Sequence, residues 1–412
     1  MRTTIPAGIV GLRGQVVNAV TVESNGVIGV SCRRDGRFVP VDAVTGHRGR
    51  PNRWRHRRVW DVPMFGRRVA LDIEYLEIVV GARDRRVERL DFVEAGARYT
   101  QRLAELVSAL CRHLPISAVS RWTGLAWRTV KDMDRAHLKA TLPVLHPRDI
   151  VGVRLLGVDE VARAKGHDYV TVVYDLESGA LLWVGDGRTA DTLSQFLAEL
   201  SADTAAGIQA VAIDMSAAFA KAVREQLPQA SIVHDRFHVM QLYSKAIDQV
   251  RRREFKQATP DHQDLIRGTR YLLLRNRDDL CEAQVQHLDR LLQANHGLQT
   301  AYVLKEQLQA LWHSPKNVAD MCRRLATWCD LAEASGLPSL RRFAKTLQQH
   351  SVGICNYARF PITTARVEAG NVAIGMIRKR ARGLIDQDYF KLKIRQSATS
   401  ETPLALFPRA RQ

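Results

Sequence analysis

The 412-residue sequence contains no run of about 18 apolar residues, so no membrane-spanning helix is expected. Cysteine is scarce: Cys32, Cys111, Cys281, Cys322, Cys329 and Cys355 are scattered, and no two form a C-x-x-C pair. That pattern disfavours a disulfide framework and suits buried thiols in a reducing compartment. Between Met1 and Gly14 the apolar stretch is broken by Pro6 and Gly8, so no signal peptide is expected and the reading is cytoplasmic, on the nucleoid. Acidic residues are few beside basic ones, 43 Asp and Glu against 61 Lys and Arg, giving a formal net charge of +18. An excess of that size suits a polyanion, most commonly nucleic acid; a solvated basic surface without a partner is the alternative. Hydrophobic residues make up 46% of the chain, which excludes global disorder, and the length is too great for one ordinary core. No internal repeat is visible.

Residues 1–95 read as β-rich. "VVNAVTVESNGVIGVSC" places Asn25-Gly26 between two strand-like runs, a hairpin signal. "RRVALDIEYLEIVV" alternates, with Val69, Leu71, Ile73 and Tyr75 expected on one face. Between them "HRGRPNRWRHRRVWD" reads as a basic loop in which Arg53, Arg55 and Arg57 interleave with Trp54 and Trp60. Arginine beside aromatics suits phosphate contact and base stacking, although a solvated loop has the same composition. Residues 96–145 turn helical, with Leu103, Leu106, Val107 and Leu110 on one stripe. A short helix over Ile116–Trp122, a turn at Thr123-Gly124-Leu125 and a second helix from Ala126 form a helix-turn-helix pattern. Trp127, Arg128 and Lys131 would open the recognition helix and meet double-stranded DNA.

"LPVLHPRD" reads as a linker. Residues 150–245 follow the order β-β-β-α-β-α-β, with strands at Leu155–Asp159, Tyr169–Tyr174, Leu181–Val184, "IQAVAID" and "ASIVHD". The first helix is expected over Thr189–Leu200 and the second over Ala217–Gln226. Residues 246–357 are helical in period throughout and form an insertion subdomain. Residues 358–395 hold a last helix, from about Ala365 to Gly383, and residues 396–412 read as a loose tail.

Two expected strands end on acids, Asp159 and Asp214. Acids at strand ends are common turn residues, and they are also what a divalent cation needs. A pair of Mg²⁺ or Mn²⁺ ions set up for in-line phosphoryl chemistry needs a third carboxylate. The element order resembles the ribonuclease H-like fold, which implies a third acid on a late helix; Glu368, in the first turn of the last helix with Asn371 one turn on, is the choice, and an acid favoured there by the helix dipole is the other reading. Glu177, Glu254 and Asp386 are weaker candidates by position. Arg378, Lys379, Arg380 and Arg382 continue that helix as candidate backbone contacts for DNA.

In the ribonuclease H-like fold the first and fourth strands also adjoin. "LLGVDE", "VAIDMSAAFAKAVREQLPQASIVHDRFHVMQL" and "ARVEAGNVAIGMIRKRARG" together resemble the DDE transposases of the IS-L-three insertion-sequence family over nearly the whole chain. The resemblance implies a ribonuclease H-like core with a large all-helical insertion, preceded by a small β-ribbon domain and a helix-turn-helix. It implies that Asp159, Asp214 and Glu368 are the catalytic metal-binding triad, and that Asp235 and His238 of "DRFH" form a second motif at the site. It implies cleavage and strand transfer at terminal inverted repeats, by a dimer or larger assembly on DNA. The family opens with a zinc ribbon of two C-x-x-C knuckles. Here Cys32 survives, while Asp35, Gly81 and Asp84 stand at the other ligand positions, so a β-ribbon without zinc is expected. In "KAIDQVRRREFK", Arg251, Arg252 and Arg253 form a run for phosphates or for solvent. Two other functions fit parts of the pattern: a DNA-binding regulator with a decayed catalytic domain, and a ribonuclease H-like nuclease without strand joining.

Overall fold

The computed structural model describes residues 11–81, 84–144, 146–163, 168–381 and 385–399. Arg382, the residues of 164–167 and the tail from residue 400 lie outside them. The chain divides into two compact units: the described residues of 1–143 with 376–412, and those of 144–375.

The first unit opens with a mixed sheet. Strands β1 (Gln15–Val22) and β2 (Ile28–Arg34) pair antiparallel around the Asn25-Gly26 turn, where Gly26 has a φ of 81°. Strands β3 (Arg50–Met64) and β4 (Arg67–Val80) form a second hairpin. Phe65 and Gly66 turn it with φ of 51° and 71°, the positive pair that a tight two-residue hairpin requires. β2 runs parallel to β4, and β5 (Asp84–Val87) pairs antiparallel to it.

Two expectations are corrected here. The basic segment is strand β3, not a loop. From Arg50 to His56 every residue is exposed, so there is no apolar face to announce a strand; the ladder to β4 holds it extended. Along β4, Val69, Leu71 and Ile73 are buried as expected, but Tyr75 is not. The alternation changes phase, and Leu76 and Ile78 take the buried positions.

The unit continues with α1 (Gln101–His113), capped by Thr100, whose side chain accepts from the Leu103 amide. Helices α2 (Ile116–Thr123) and α3 (Trp127–Thr141) are joined through Gly124 in the left-handed region, φ 66°. A Cβ there would fall 2.8 Å from Arg68 Cδ, so close approach as well as φ favours glycine. Val107, Val119, Val130 and Met133 form the core of this helical group.

The second unit carries a five-stranded sheet in the order β10-β9-β6-β7-β8, built from β6 (Leu155–Ala162), β7 (Tyr169–Asp175), β8 (Leu181–Asp186), β9 (Ala210–Ile213) and β10 (Ser231–His234). β6, β7 and β8 form an antiparallel meander, while β9 and β10 run parallel to β6. Helix α4 (Ala190–Ala198) is shorter than expected because Ser201 caps a separate helix, α5 (Ala202–Gly207). Helix α6 (Ala217–Gln226) follows β9. Leu193, Phe196, Phe219 and Val223 cover one face of the sheet over Val158, Val173 and Val211.

A helical subdomain follows: α7 (Arg236–Gln257), α8 (Pro260–Ile266), α9 (Arg270–Leu274), α10 (Glu282–Ala294), α11 (His296–Ala310), α12 (Val318–Ala334), α13 (Pro338–Gln349) and α14 (Ser351–Cys355). Its core is centred on Tyr243, Trp328 and Phe343, whose rings meet edge to face at 5.2–5.8 Å. Helix α15 (Ala365–Ala381) comes next, and the division between units falls inside it. Helix α16 (Gln387–Ala398) closes the described chain, in the first unit.

Candidate active site

The sheet register sets two acids level with each other. The parallel pairing of β6 with β9 ends at Gly157 and Ala212. Asp159 and Asp214 each lie two residues beyond that last pair, where β6 keeps only its β7 neighbour. Asp159 is therefore inside a strand that runs on to Ala162, not at a strand end as expected. Asp214 directly follows its strand, which ends at Ile213 and not on the acid as expected, and its Oδ1 accepts from the Ser216 amide at 2.9 Å.

Asp159 is 8% exposed. Its Oδ1 accepts from the Glu160 amide at 2.8 Å and its Oδ2 from Asn371 Nδ2 at 2.6 Å. Burial raises its pKa, with the field of Asp214 adding, against the Glu160 amide, His238 and Asn371. Glu160 is also raised, first by burial, despite Arg188 Nη1 at 3.4 Å from its Oε1.

The late helix reaches this strand because two glycines permit it. A Cβ at Gly157 would lie 2.5 Å from Leu176 Cδ2 and 2.9 Å from Val367 Cγ2; one at Gly370 would lie 2.2 Å from the Tyr174 hydroxyl. With α15 seated so closely, Asn371 bonds Asp159, and Glu368 in the first turn falls within the fields of Asp235, His238 and Asp159. Burial is the largest cause raising the Glu368 pKa. Its Oε1 is buried with no hydrogen-bond partner. The other candidate acids do have partners: Glu177 holds Arg154 at 2.5 Å, Glu254 accepts from Asn295 at 3.0 Å, and Asp386 holds Lys131 at 2.8 Å.

Asp235 is the N-cap of α7 and is 3% exposed, but it does not cap with its side chain. Its Oδ1 accepts from the Thr364 amide at 3.4 Å, and its Oδ2 faces His238 Nδ1 at 3.3 Å, close enough for an ion pair but poorly aligned for a hydrogen bond. Burial alone would raise Asp235; contacts with His238 and Thr364 outweigh it and hold the carboxyl below its ordinary value. His238 is raised, first by Asp235, with Asp159 and Asp214 adding.

Sequence reasoning missed one arrangement. His234 is buried, with Nδ1 3.0 Å from the Asp214 carbonyl and Nε2 3.3 Å from His350 Nδ1. A carbonyl only accepts, so His234 carries its proton on Nδ1 and accepts from His350 on Nε2. Burial, then the field of His350, pushes the His234 pKa down to about 4, so the ring is neutral. Gly353 packs on it; a Cβ there would lie 2.3 Å from His234 Cδ2. The linking residues are far apart in sequence, and no local pattern joins them.

The acids fit a hard divalent cation: all donors are oxygens, Asp159 and Asp214 feel each other's charge, and Glu368 keeps an orphaned buried oxygen. Among the described residues no three His, Cys, Asp or Glu side chains are already gathered at ligand distance. The zinc-ribbon positions do not fit a metal. Cys32 is buried, chiefly by which its thiol pKa is pushed up to about 11; Asp35 is held by Arg37 and Asp84 by Arg86, each at 2.7 Å.

Of the candidate DNA contacts, Trp127 is 51% exposed and the Arg128 side chain 89%. Lys131 is turned inward to Asp386 and is only 19% exposed, which removes it from the open face expected for it. Arg53 is exposed, Arg55 pairs with Glu77, and Arg57 donates to the Ala97 carbonyl. Arg252 is exposed but pairs with Asp248 at 2.9 Å, and Arg378 is exposed. Among the described residues no helix is long and apolar enough to cross a membrane.

Residues 156–394 match a family model described as a transposase, and residues 88–138 match the helix-turn-helix domain of transposase family ISL3. The chain is similar to the transposase for insertion sequence element IS1001 of Bordetella parapertussis, 40% identical over 346 residues that cover 82% of this chain and 84% of that protein. It is also similar to the transposase for insertion sequence element IS1557 of Mycobacterium tuberculosis, 28% identical over 310 residues, 70% of this chain and 69% of that one.

Proposed function

This chain belongs to transposase family ISL3, and we propose that it reads the ends of its insertion sequence with the first unit and cuts and joins DNA at the acidic cleft of the second. The sheet order β10-β9-β6-β7-β8 supports a ribonuclease H-like core interrupted by the helical subdomain. The observation that carries the reading is the seating of α15 on β6: Asn371 bonds the first acid while Glu368 beside it keeps a buried oxygen free. A buried carboxylate left short of partners is costly unless a ligand completes it.

Asp159, Asp214 and Glu368 are the residues that would hold Mg²⁺ or Mn²⁺. Two such ions supply Lewis-acid stabilisation to an in-line displacement at phosphorus. Asn371 fixes the rotamer of Asp159. The His234–His350 contact steadies the backbone carbonyl of Asp214. Asp235 upholds positive charge on His238, which faces the scissile phosphate. The same acids serve hydrolysis, which leaves a 3′-hydroxyl, and the attack of that hydroxyl on target DNA. Trp127 and Arg128 at the start of α3 enter the major groove, while Lys131 buttresses that helix against Asp386. Joining two ends calls for a dimer or larger assembly on DNA.

The test is strand cleavage of a duplex carrying the terminal repeat, taken from the nucleotides flanking the gene, with the full chain in Mg²⁺ or Mn²⁺. The wild-type chain should cleave, and Asp159→Ala, Asp214→Ala and Glu368→Ala should each abolish cleavage while leaving end binding intact. Cleavage retained by any of the three, or binding lost in all of them, contradicts the assignment.

A further inference from the structure

We propose that the α7 wall of the cleft binds a backbone phosphate of the DNA strand next to the scissile bond, through Lys245 and Gln241. The inference rests on the strand-cleaving reading above and adds to it a site for the flanking nucleotide. His238, Gln241 and Lys245 follow one another at i, i+3 and i+7 on α7, so they share a face. All three line one cavity of about 400 Å³ together with Asp214 and Ser216. Gln241 and Lys245 are exposed in it, and neither has a hydrogen-bond or ion-pair partner among the described residues.

That freedom sets Lys245 apart from Arg188, the arginine that lines the same cavity, and from Arg251 and Arg252 further along α7. On the same helix Arg251 and Arg252 both pair with Asp248. Across the cavity Arg188 is committed to Glu160 and stacks 4.2 Å from the Tyr169 ring. A free ammonium and a free amide on one helix face, opening into a cleft of acids that await cations, suit an anion that arrives with the substrate. A phosphodiester is that anion, and a lysine meets it as a sequence-independent point charge.

The helix gives the spacing. Seven residues at a rise of 1.5 Å place Lys245 about 10 Å along the axis from His238. Duplex DNA carries one phosphate per 3.4 Å of axis on each strand, so Lys245 meets a phosphate within about three nucleotides of the cleaved bond. The helical subdomain thereby sets the register of the strand over the acids.

The experiment uses the full chain in an Asp159→Ala background, which binds without cutting, and terminal-repeat duplexes carrying one neutral methylphosphonate at successive positions around the cleavage site. With Lys245 present, one position within about three nucleotides should weaken binding on the order of tenfold, as for a hydrogen bond to a charged group. In Lys245→Ala the same position should cost nothing further, and the salt slope of binding should fall by about one. Losses that add at every position, with an unchanged slope, overturn the contact. Cleavage of the unmodified duplex by the wild-type chain is measured alongside. If cleavage is seen while the losses add, only the phosphate contact fails; if the wild-type chain never cleaves, the reading it rests on fails with it.

Discussion

In the first unit the buried carboxylate of Asp134 accepts from Ser108, Tyr389 and Lys393, and that of Asp61 accepts from Thr100 and Arg102. In the second unit the cleft acids are served far less well. Asp159 has one amide and one asparagine, and Glu368 keeps a buried oxygen with no partner. The first kind of burial is framework: charge and hydrogen bonds are complete, and the geometry is fixed. The second kind is a site, because a folded chain tolerates a carboxylate short of partners where a ligand completes it. Desolvation raises the pKa of both Asp159 and Glu368, a shift that positive charge arriving in the cleft would offset.

The contrast is sharpest in stability. Asp134→Ala strands the buried Lys393 ammonium and should cost about 3–5 kcal/mol, read as a shift in the denaturant midpoint of the first unit. Glu368→Gln removes a carboxylate that no described side chain bonds, and should leave the midpoint nearly unchanged. Equal losses in the two variants would erase the distinction between framework and site. A smaller effect is expected from Gly370→Ala, whose Cβ would meet the Tyr174 hydroxyl and push α15 off β6. Displacing Glu368 by about 1 Å should slow cleavage roughly 100-fold with end binding intact. Partial recovery in Gly370→Ala with Tyr174→Phe would tie the loss to that contact, and full activity in the single variant would show that the close seating is not needed.

Lys305 gives the smallest and most graded test. It is 2% exposed and donates to the carbonyls of Leu273 and Arg275, a buried cation with no ion-pair partner among the described residues. Burial pulls its pKa down to about 8 from 10.5. Between those values the unfolded chain holds the proton and the folded chain does not, so stability rises with pH across that window and is flat below it. The difference in stability between wild type and Lys305→Met should therefore move in favour of wild type as pH climbs through this range. A difference that stays level would mean that the lysine is not desolvated.

Much of the frame was legible in the sequence because alternation and turn residues carry it. Asn25-Gly26 marked the first hairpin, Gly124 the turn between α2 and α3, and the apolar run "IQAVAID" before the helical stretch from Ala217 the succession of β9 and α6. What escaped has a common physical cause, since long-range pairing leaves no local trace. β3 is held by β4 and not by an apolar face, so its arginines read as a loop. Lys131 finds Asp386 and His234 finds His350 across stretches of chain that no period connects. Asp159 looked like a strand end because Asp159-Glu160 interrupts the apolar run, and nothing local signals that β7 continues to pair with Glu160, Val161 and Ala162. Glu368 and Asn371 were readable as neighbours on one helix turn; that Asn371 reaches Asp159 required the glycine contacts at Gly157 and Gly370.

Cation binding itself puts the contrast between the units to its most direct test. The full chain titrated with Mn²⁺, with free ion followed by electron paramagnetic resonance, should bind two ions. Asp159→Asn and Glu368→Gln should each weaken or abolish that binding, while Asp61→Asn, in the satisfied framework of the first unit, should leave the isotherm of its folded fraction unchanged. Identical isotherms for wild type and the two cleft variants would contradict the assignment of the underserved acids to metal.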